Sequence, residues 1–263
     1  MSLLSVRNIV KKFNGVTALN GVSFNVEDGQ ILGVIGPNGS GKTTLLNLIT
    51  GIFAPTSGQI TFMGKSVIGR KPYEIARQGI GRTFQQIRLF DQLTVLENVL
   101  VGLDFHLDIG YGAAVLDSRK ARAEEMRGRT QAKEILSRIR SNLEVDYGRR
   151  ASELPYADKR RLEIARALAT RPRLLLLDEP AAGMAPQEMR KLVDDLRQLN
   201  ADGTAIILIE HKMRLIEGVT DRVVVLDYGE KIAEGRFEDI RRDKRVIEAY
   251  LGRDYANAGV AAG

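Results

Sequence analysis

The chain has 263 residues, 44% hydrophobic and 27% charged, with no Cys, no Trp and a formal net charge of +6. This is ordinary globular composition, and the lack of cysteine excludes a disulfide framework, a thiolate metal site and a cysteine nucleophile. The longest apolar runs fall well short of the roughly 20 residues needed to span a bilayer, and residues 1–13, MSLLSVRNIVKKF, lack the apolar core of a signal peptide, so the expected location is the cytoplasm.

In chain order, residues 3–10 and 18–26 read as strands with partial alternation, and 59–62 as a third strand after the turn Pro55-Thr56-Ser57-Gly58. Together they predict an antiparallel β-subsheet at the N-terminal side. Ile31–Ile35 is a short Ile/Val run, and similar Leu-, Ile- and Val-rich runs recur at 174–177, Ala205–Ile209 and 223–226. Each has strand length and ends in a polar or glycine turn, as expected of strands covered on both faces. Helical segments between them predict an α/β fold, a mostly parallel sheet with helices on its faces. From 93 to 152 the strand signal vanishes. Residues 118–140 are rich in Ala, Arg, Glu and Lys, with apolar Ile135, Leu136 and Ile139 only at the end, so a largely exposed helix inside a helical insertion is expected. Much of the positive charge gathers there, and it suits either solubility or an anionic partner. Residues 256–263 are small and featureless and read as a flexible tail.

Residues 36–43, Gly36-Pro37-Asn38-Gly39-Ser40-Gly41-Lys42-Thr43, fit G-x-x-x-x-G-K-[ST] between a buried strand and the apolar helix that opens at Thr44. In that setting glycines let backbone N–H groups converge on phosphate oxygens, the helix start adds positive potential, Lys42 reaches the outer phosphates and Thr43 holds Mg²⁺. The second half of a nucleotide site lies at the end of the run 174–177, where Asp178 and Glu179 are adjacent. Asp178 is placed to face the metal, directly or through water. Glu179 is placed to take the proton of an attacking water. No N-K-x-D guanine-reading string occurs, which favours adenine and ATP over guanine.

The order of these motifs resembles the ATP-binding cassette family over nearly the whole chain. The resemblance implies a RecA-like P-loop NTPase core at 1–92 and 153–255, the first part carrying the antiparallel subsheet, with an inserted α-helical subdomain at 93–152. It implies that Phe13 stacks on adenine, that Gln85 in Arg82-Thr-Phe-Gln touches the metal and the attacking water, and that His211 contacts the γ-phosphate. Without the resemblance, a His at a strand end reads as a structural hydrogen-bond partner; the only other one is His106. Gly183 falls in the loop that crosses the dimer interface in this family, although the usual Asp of that loop is missing. The signature commonly written LSGGQ is Leu154-Pro-Tyr-Ala-Asp158 here. Pro155 removes a hydroxyl and an N–H, and Asp158 either sets an anion near a partner's γ-phosphate or stabilises the first turn of a helix.

The run LPYxxxRRLEIARAL, with Glu210-His-Lys-Met213 and Val225-Leu-Asp-Tyr-Gly-Glu-Lys-Ile-Ala-Glu-Gly235, is most similar to the ATPases of branched-chain amino acid importers. That implies a second ATPase subunit in a heterodimer with unequal sites, transmembrane permease subunits, an external substrate-binding protein and a post at the cytoplasmic face of the membrane. Branched-chain or related amino acids, urea and short amides are compatible cargoes. A chromosome or DNA-repair ATPase of the same architecture is disfavoured, because the chain between Lys42 and Asp178 is too short for a long coiled coil, and no nucleic-acid partner is expected. A nucleotide switch that scarcely hydrolyses is the remaining alternative.

Overall fold

The computed structural model describes residues 2–103, 119–139 and 146–251. The tail at 256–263 and His106 lie outside them. Two hydrophobic layers sandwich a central sheet, and the sequence itself sorts residues between them. Along β3 (Ile31–Ile35), Ile31 and Ile35 join one core while Leu32 and Val34 join the other; along β7 (Leu174–Asp178), Leu175 and Leu177 oppose Leu174 and Leu176. Side chains of a strand alternate faces, so a strand apolar at every position is one that is covered twice.

The six-stranded sheet has the order β10-β9-β3-β8-β7-β6, with β8 at Ala205–Ile209, β9 at Arg222–Asp227, β10 at Glu230–Gly235 and β6 at Ile80–Arg82. All neighbours are parallel except the β9–β10 hairpin. A second sheet, β2-β1-β4-β5, is antiparallel throughout, with β1 at Ser2–Phe13, β2 at Val16–Glu27, β4 at Ser57–Phe62 and β5 at Lys65–Ser66. The expected strands are present in these sheets. Three others carry no readable pattern: β6 is three residues with a central glycine, β5 is two residues, and β10 is an edge strand, half of its residues charged, that pairs because the tight turn before it folds the chain back.

Helix α1 (Lys42–Ile49) follows β3 through the glycine loop and starts two residues before the apolar run at 44–49 suggests. It is followed by α2 (Pro72–Arg77), α3 (Val95–Leu103) and α4 (Arg119–Arg138). The last is the arginine-rich helix. It is mostly exposed but buries Ala132 and Leu136, with Ile139 just beyond it, in the same core as Val95 and Val99 of α3. Helix α5 (Tyr156–Ala169) precedes β7 and α6 (Pro186–Ala201) follows it; α7 (Met213–Val219), α8 (Phe237–Ile240) and α9 (Lys244–Leu251) complete the described chain.

Candidate active site

The glycine loop is shaped by what surrounds it. Gly36 has φ 151°, and a Cβ there would lie 2.0 Å from the Leu226 carbonyl oxygen and 2.7 Å from Ser40 Oγ. Gly41 has φ 103° and caps α1 without any side-chain hydrogen bond. The first turn of α1 holds no acidic side chain, so its N–H groups remain directed at the loop, the arrangement that favours an anion. Lys42 curls back over the loop, donating to the Gly36 and Pro37 carbonyls at 2.8 Å each. Burial lowers its pKa, against the opposing pull of Glu179 and Asp178.

A cleft of about 370 Å³ opens above this loop. Asn38, Gly39, Gly41, Lys42, Thr43 and Thr44 line it from the loop side, and Gln85, Glu179 and His211 from the far side. These last three arrive from three strand ends, after β6, β7 and β8, and meet at one carboxylate. Glu179 Oε2 accepts from Gln85 Nε2 at 3.2 Å, and Oε1 lies 3.0 Å from His211 Nε2. Glu179 adopts φ 50°, a conformation uncommon outside glycine, while its N–H donates to the Ile209 carbonyl at the end of β8. The pinned backbone aims the carboxylate into the cleft.

Asp178 lies behind this group, 1% exposed. Neither of its carboxylate oxygens has a hydrogen-bond partner, and the nearby cation Arg82 stands 3.7 Å away, outside hydrogen-bond reach. Burial raises its pKa, which Arg82 opposes. A buried carboxylate left without donors is expensive and fits a hard divalent cation. Among the described residues no group of three or more His, Cys, Asp or Glu could hold a metal. Mg²⁺, which characteristically takes one or two carboxylates plus phosphate oxygens, is consistent with Asp178, the Thr43 hydroxyl and the Gln85 amide oxygen as its protein ligands.

Phe13 stands apart from the cleft lining. It is exposed at the end of β1, edge-on to Phe53 with ring centroids 5.2 Å apart, and Lys11 Nζ lies 4.6 Å over its ring. Gly36, Pro37 and Ser40 form the base of the loop rather than the wall of the cleft. Asp158 lies in the first turn of α5 and pairs with Arg161 Nη1 at 3.4 Å, so its charge is turned toward its own helix.

Two residues at the site escaped the sequence reading. Glu210, 2% exposed, accepts the N–H groups of Ala181, His211 and Lys212 and so fixes the loop after Glu179 relative to His211. Burial raises its pKa, the three backbone donors opposing. Its only signal is an acid directly before a histidine. Tyr250 on α9, still 37% exposed, stands beside the Gly36 backbone, and partial burial pushes its phenol up to about 12. Nothing local links residue 250 to the loop.

A buried parallel strand running through a glycine turn into a helix, with paired acids on a strand of the same sheet, defines a P-loop NTPase. A family model for ABC transporters matches residues 19–182, and one for a branched-chain amino acid ATP-binding cassette transporter segment matches 230–256. The chain is 42% identical over 251 residues to the high-affinity branched-chain amino acid transport ATP-binding protein LivG of Salmonella typhimurium, covering 95% of this chain and 98% of that one. It is 41% identical over 255 residues to the BraF counterpart of Pseudomonas aeruginosa, with the same shares covered. Among solved structures, the ADP conformation of an ATP-binding cassette of an ABC transporter superposes with TM-score 0.83 at 35% identity, covering 96% of this chain and all of the other. A dimeric cassette in a post-hydrolysis state, bound to ADP and Pi, superposes with TM-score 0.75 at 27% identity, covering 89% and 98%. The chain belongs to the ATP-binding cassette transporter family, as an ATP-hydrolysing subunit.

Proposed function

We propose that this chain powers the import of branched-chain or related amino acids, as one of two unlike ATPase subunits beneath a transmembrane permease supplied by an external binding protein. The observation that carries the hydrolytic part is the meeting of Gln85 and His211 on the Glu179 carboxylate above the glycine loop. The cargo rests on the likeness to LivG and BraF, whose names give that substrate class.

In this reading adenine stacks on Phe13, the backbone of residues 36–44 and the Lys42 ammonium hold the phosphates, and Asp178 with Thr43 and Gln85 holds Mg²⁺. The metal, when bound, neutralises charge on the phosphate oxygens. Glu179 takes the proton from a water whose oxygen attacks the γ-phosphorus, and the bond to the ADP oxygen breaks as the new one forms. Gln85 Nε2 and His211 Nε2 keep the carboxylate turned toward that water. Residues 1–92 and 153–255 act as the ATP-binding core and 93–152 as the helical subdomain.

No helix among the described residues is long and apolar enough to cross a membrane, so attachment to the cytoplasmic face goes through the permease. The groove of about 540 Å³ beyond Gln85, lined by Phe84, Arg88, Phe90, Val101 and Arg166, is the docking place. The pairing of Asp158 with Arg161 lessens the repulsion the altered signature presents to a partner's γ-phosphate.

Co-expression with the permease, ATPase and binding-protein genes of its own cluster, followed by uptake into vesicles loaded with Mg·ATP, tests the reading. Import of leucine, isoleucine or valine is the expected result. Import of urea or a short amide instead would replace the cargo and keep the mechanism.

A further inference from the structure

Away from the cleft, the segment that carries Gln85 is fastened to α5 by a buried pair of opposite charges. Arg160 heads the largest fully buried side chains of the described residues, and Glu163 one turn further on is 2% exposed. Arg160 Nη1 donates to the Phe84 carbonyl at 2.6 Å and to Glu163 Oε2 at 2.8 Å, and Nη2 donates to the Gln85 carbonyl at 2.7 Å. Glu163 Oε1 accepts the N–H groups of Phe84 and Arg88 at 3.4 and 3.3 Å. One side-chain pair thus takes two carbonyls and two N–H groups of residues 84–88, a stretch with no strand or helix of its own.

A buried ion pair is weak evidence for stability, since hydrophobic residues of similar volume often serve as well. What this pair supplies is register. The contacts continue in both directions. Gln85 Nε2 reaches Glu179, and Arg160 Nη2 reaches the hydroxyl of Tyr156 at 3.5 Å. Tyr156 is exposed at the start of α5, and its ring packs so closely on Gly183 that a Cβ there would lie 3.1 Å away.

We propose that Arg160 and Glu163 are positioning residues that make the Gln85 loop and α5 move as one body. Resting on the dimeric ATPase reading above, this ties the setting of Gln85 at the chain's own nucleotide to the setting of the α5 end offered to the partner subunit's nucleotide. One ATP then reports its state to the other through a rigid link inside a single subunit.

The test uses the assembled transporter and the double variant Arg160→Met/Glu163→Leu, which leaves no unpaired buried charge should either single variant fail to fold. Turnover at saturating ATP should drop about 10- to 100-fold, with KM for ATP within about twofold of wild type, because the phosphate loop is untouched while the transition-state arrangement is lost. Arg160→Lys should not rescue it, since an ammonium lacks the planar fork that spans Phe84, Gln85 and Glu163. The chain is free of cysteine, so labels at Gln86→Cys and Lys159→Cys read the link directly by electron paramagnetic resonance. The inter-label distance distribution should stay narrow in the nucleotide-free, ATP and ADP states and broaden in the double variant. Wild-type turnover, or a distribution as narrow as in the unmodified pair, overturns the proposal. A parent transporter that hydrolyses no ATP at all would indict the functional reading instead, and the label distances still decide the link.

Discussion

Glu179 and His211 leave the ends of two adjacent parallel strands, β7 and β8, and bring Oε1 and Nε2 to 3.0 Å. The contact depends on Glu179 adopting positive φ while its N–H stays bonded to Ile209 at the end of β8. Strand register therefore sets the two backbones from which Glu179 and His211 reach each other.

Glu179→Gln keeps the shape of that cluster and removes the proposed proton acceptor. Turnover should fall about 10² to 10⁴-fold, with ATP affinity retained. Single-turnover hydrolysis beside a nucleotide-binding titration checks it; wild-type turnover would remove Glu179 from the role of base.

Lys42→Met separates binding from stability. Burial lowers the Lys42 pKa below its unfolded value of 10.5. Between the two values the unfolded chain holds more protons, so stability rises with pH there, and at neutral pH the buried ammonium is destabilising. The variant should match or exceed wild type in Tm without nucleotide. It should also lose most of the nucleotide-dependent rise, which for the wild type at 100 times Kd is about 2.7 kcal/mol. Calorimetry with and without Mg·ATP separates the two effects.

Asp178 gives a pH signature. Its pKa is raised by burial, so the folded state holds its proton to higher pH than the unfolded chain, and stability from this group is lost as pH rises through the folded pKa. A bound cation needs the ionised form and offsets that loss. Mg²⁺ with nucleotide should thus raise Tm more at pH 7.5 than at pH 5. Glu179 also raises the Asp178 pKa, so Glu179→Gln should shift the fall in Mg²⁺ dependence to lower pH. Equal Mg²⁺ effects at both pH values would count against Asp178 as ligand.

Two glycines of the loop should respond unequally to alanine. At Gly36 the new Cβ meets the Leu226 carbonyl and Ser40, and overpacking on top of backbone strain should cost about 3 kcal/mol, on the order of 10 °C in Tm. At Gly39, φ 80°, nothing lies within 4 Å, so only the left-handed strain of about 1–2 kcal/mol remains. Thermal unfolding of the pair gives the comparison.

The parts legible in the sequence are those whose chemistry is local. The run Ile31–Ile35 leading into the glycine loop, and the run ending in Asp178 and Glu179, each hold strand, turn and functional group within a dozen residues. His211 and Gln85 became readable only through family resemblance, because their partner Glu179 is distant in the chain. Arg160 and Glu163 sit in a helix whose composition suggests an exposed charged face, and only the docking of residues 84–88 buries them. Asp158 had two readings, and the position of Arg161 one turn on favours the structural one. The edge strand β10 holds no pattern because it borrows its hydrogen bonds from β9 and buries little.

The strand beneath the phosphate loop lies between β8 and β9, and Gly229 in the turn after β9 donates to Ser40 while its carbonyl takes the Asn20 N–H. An N-terminal segment leaving the ribosome carries the whole glycine motif and its β2 neighbours, yet both flanking strands and the Gly229 turn are in hand only once about residue 230 has emerged. Competence to grip a triphosphate should therefore appear late in synthesis and all at once, so that nascent chains truncated before that hairpin leave cellular ATP untouched.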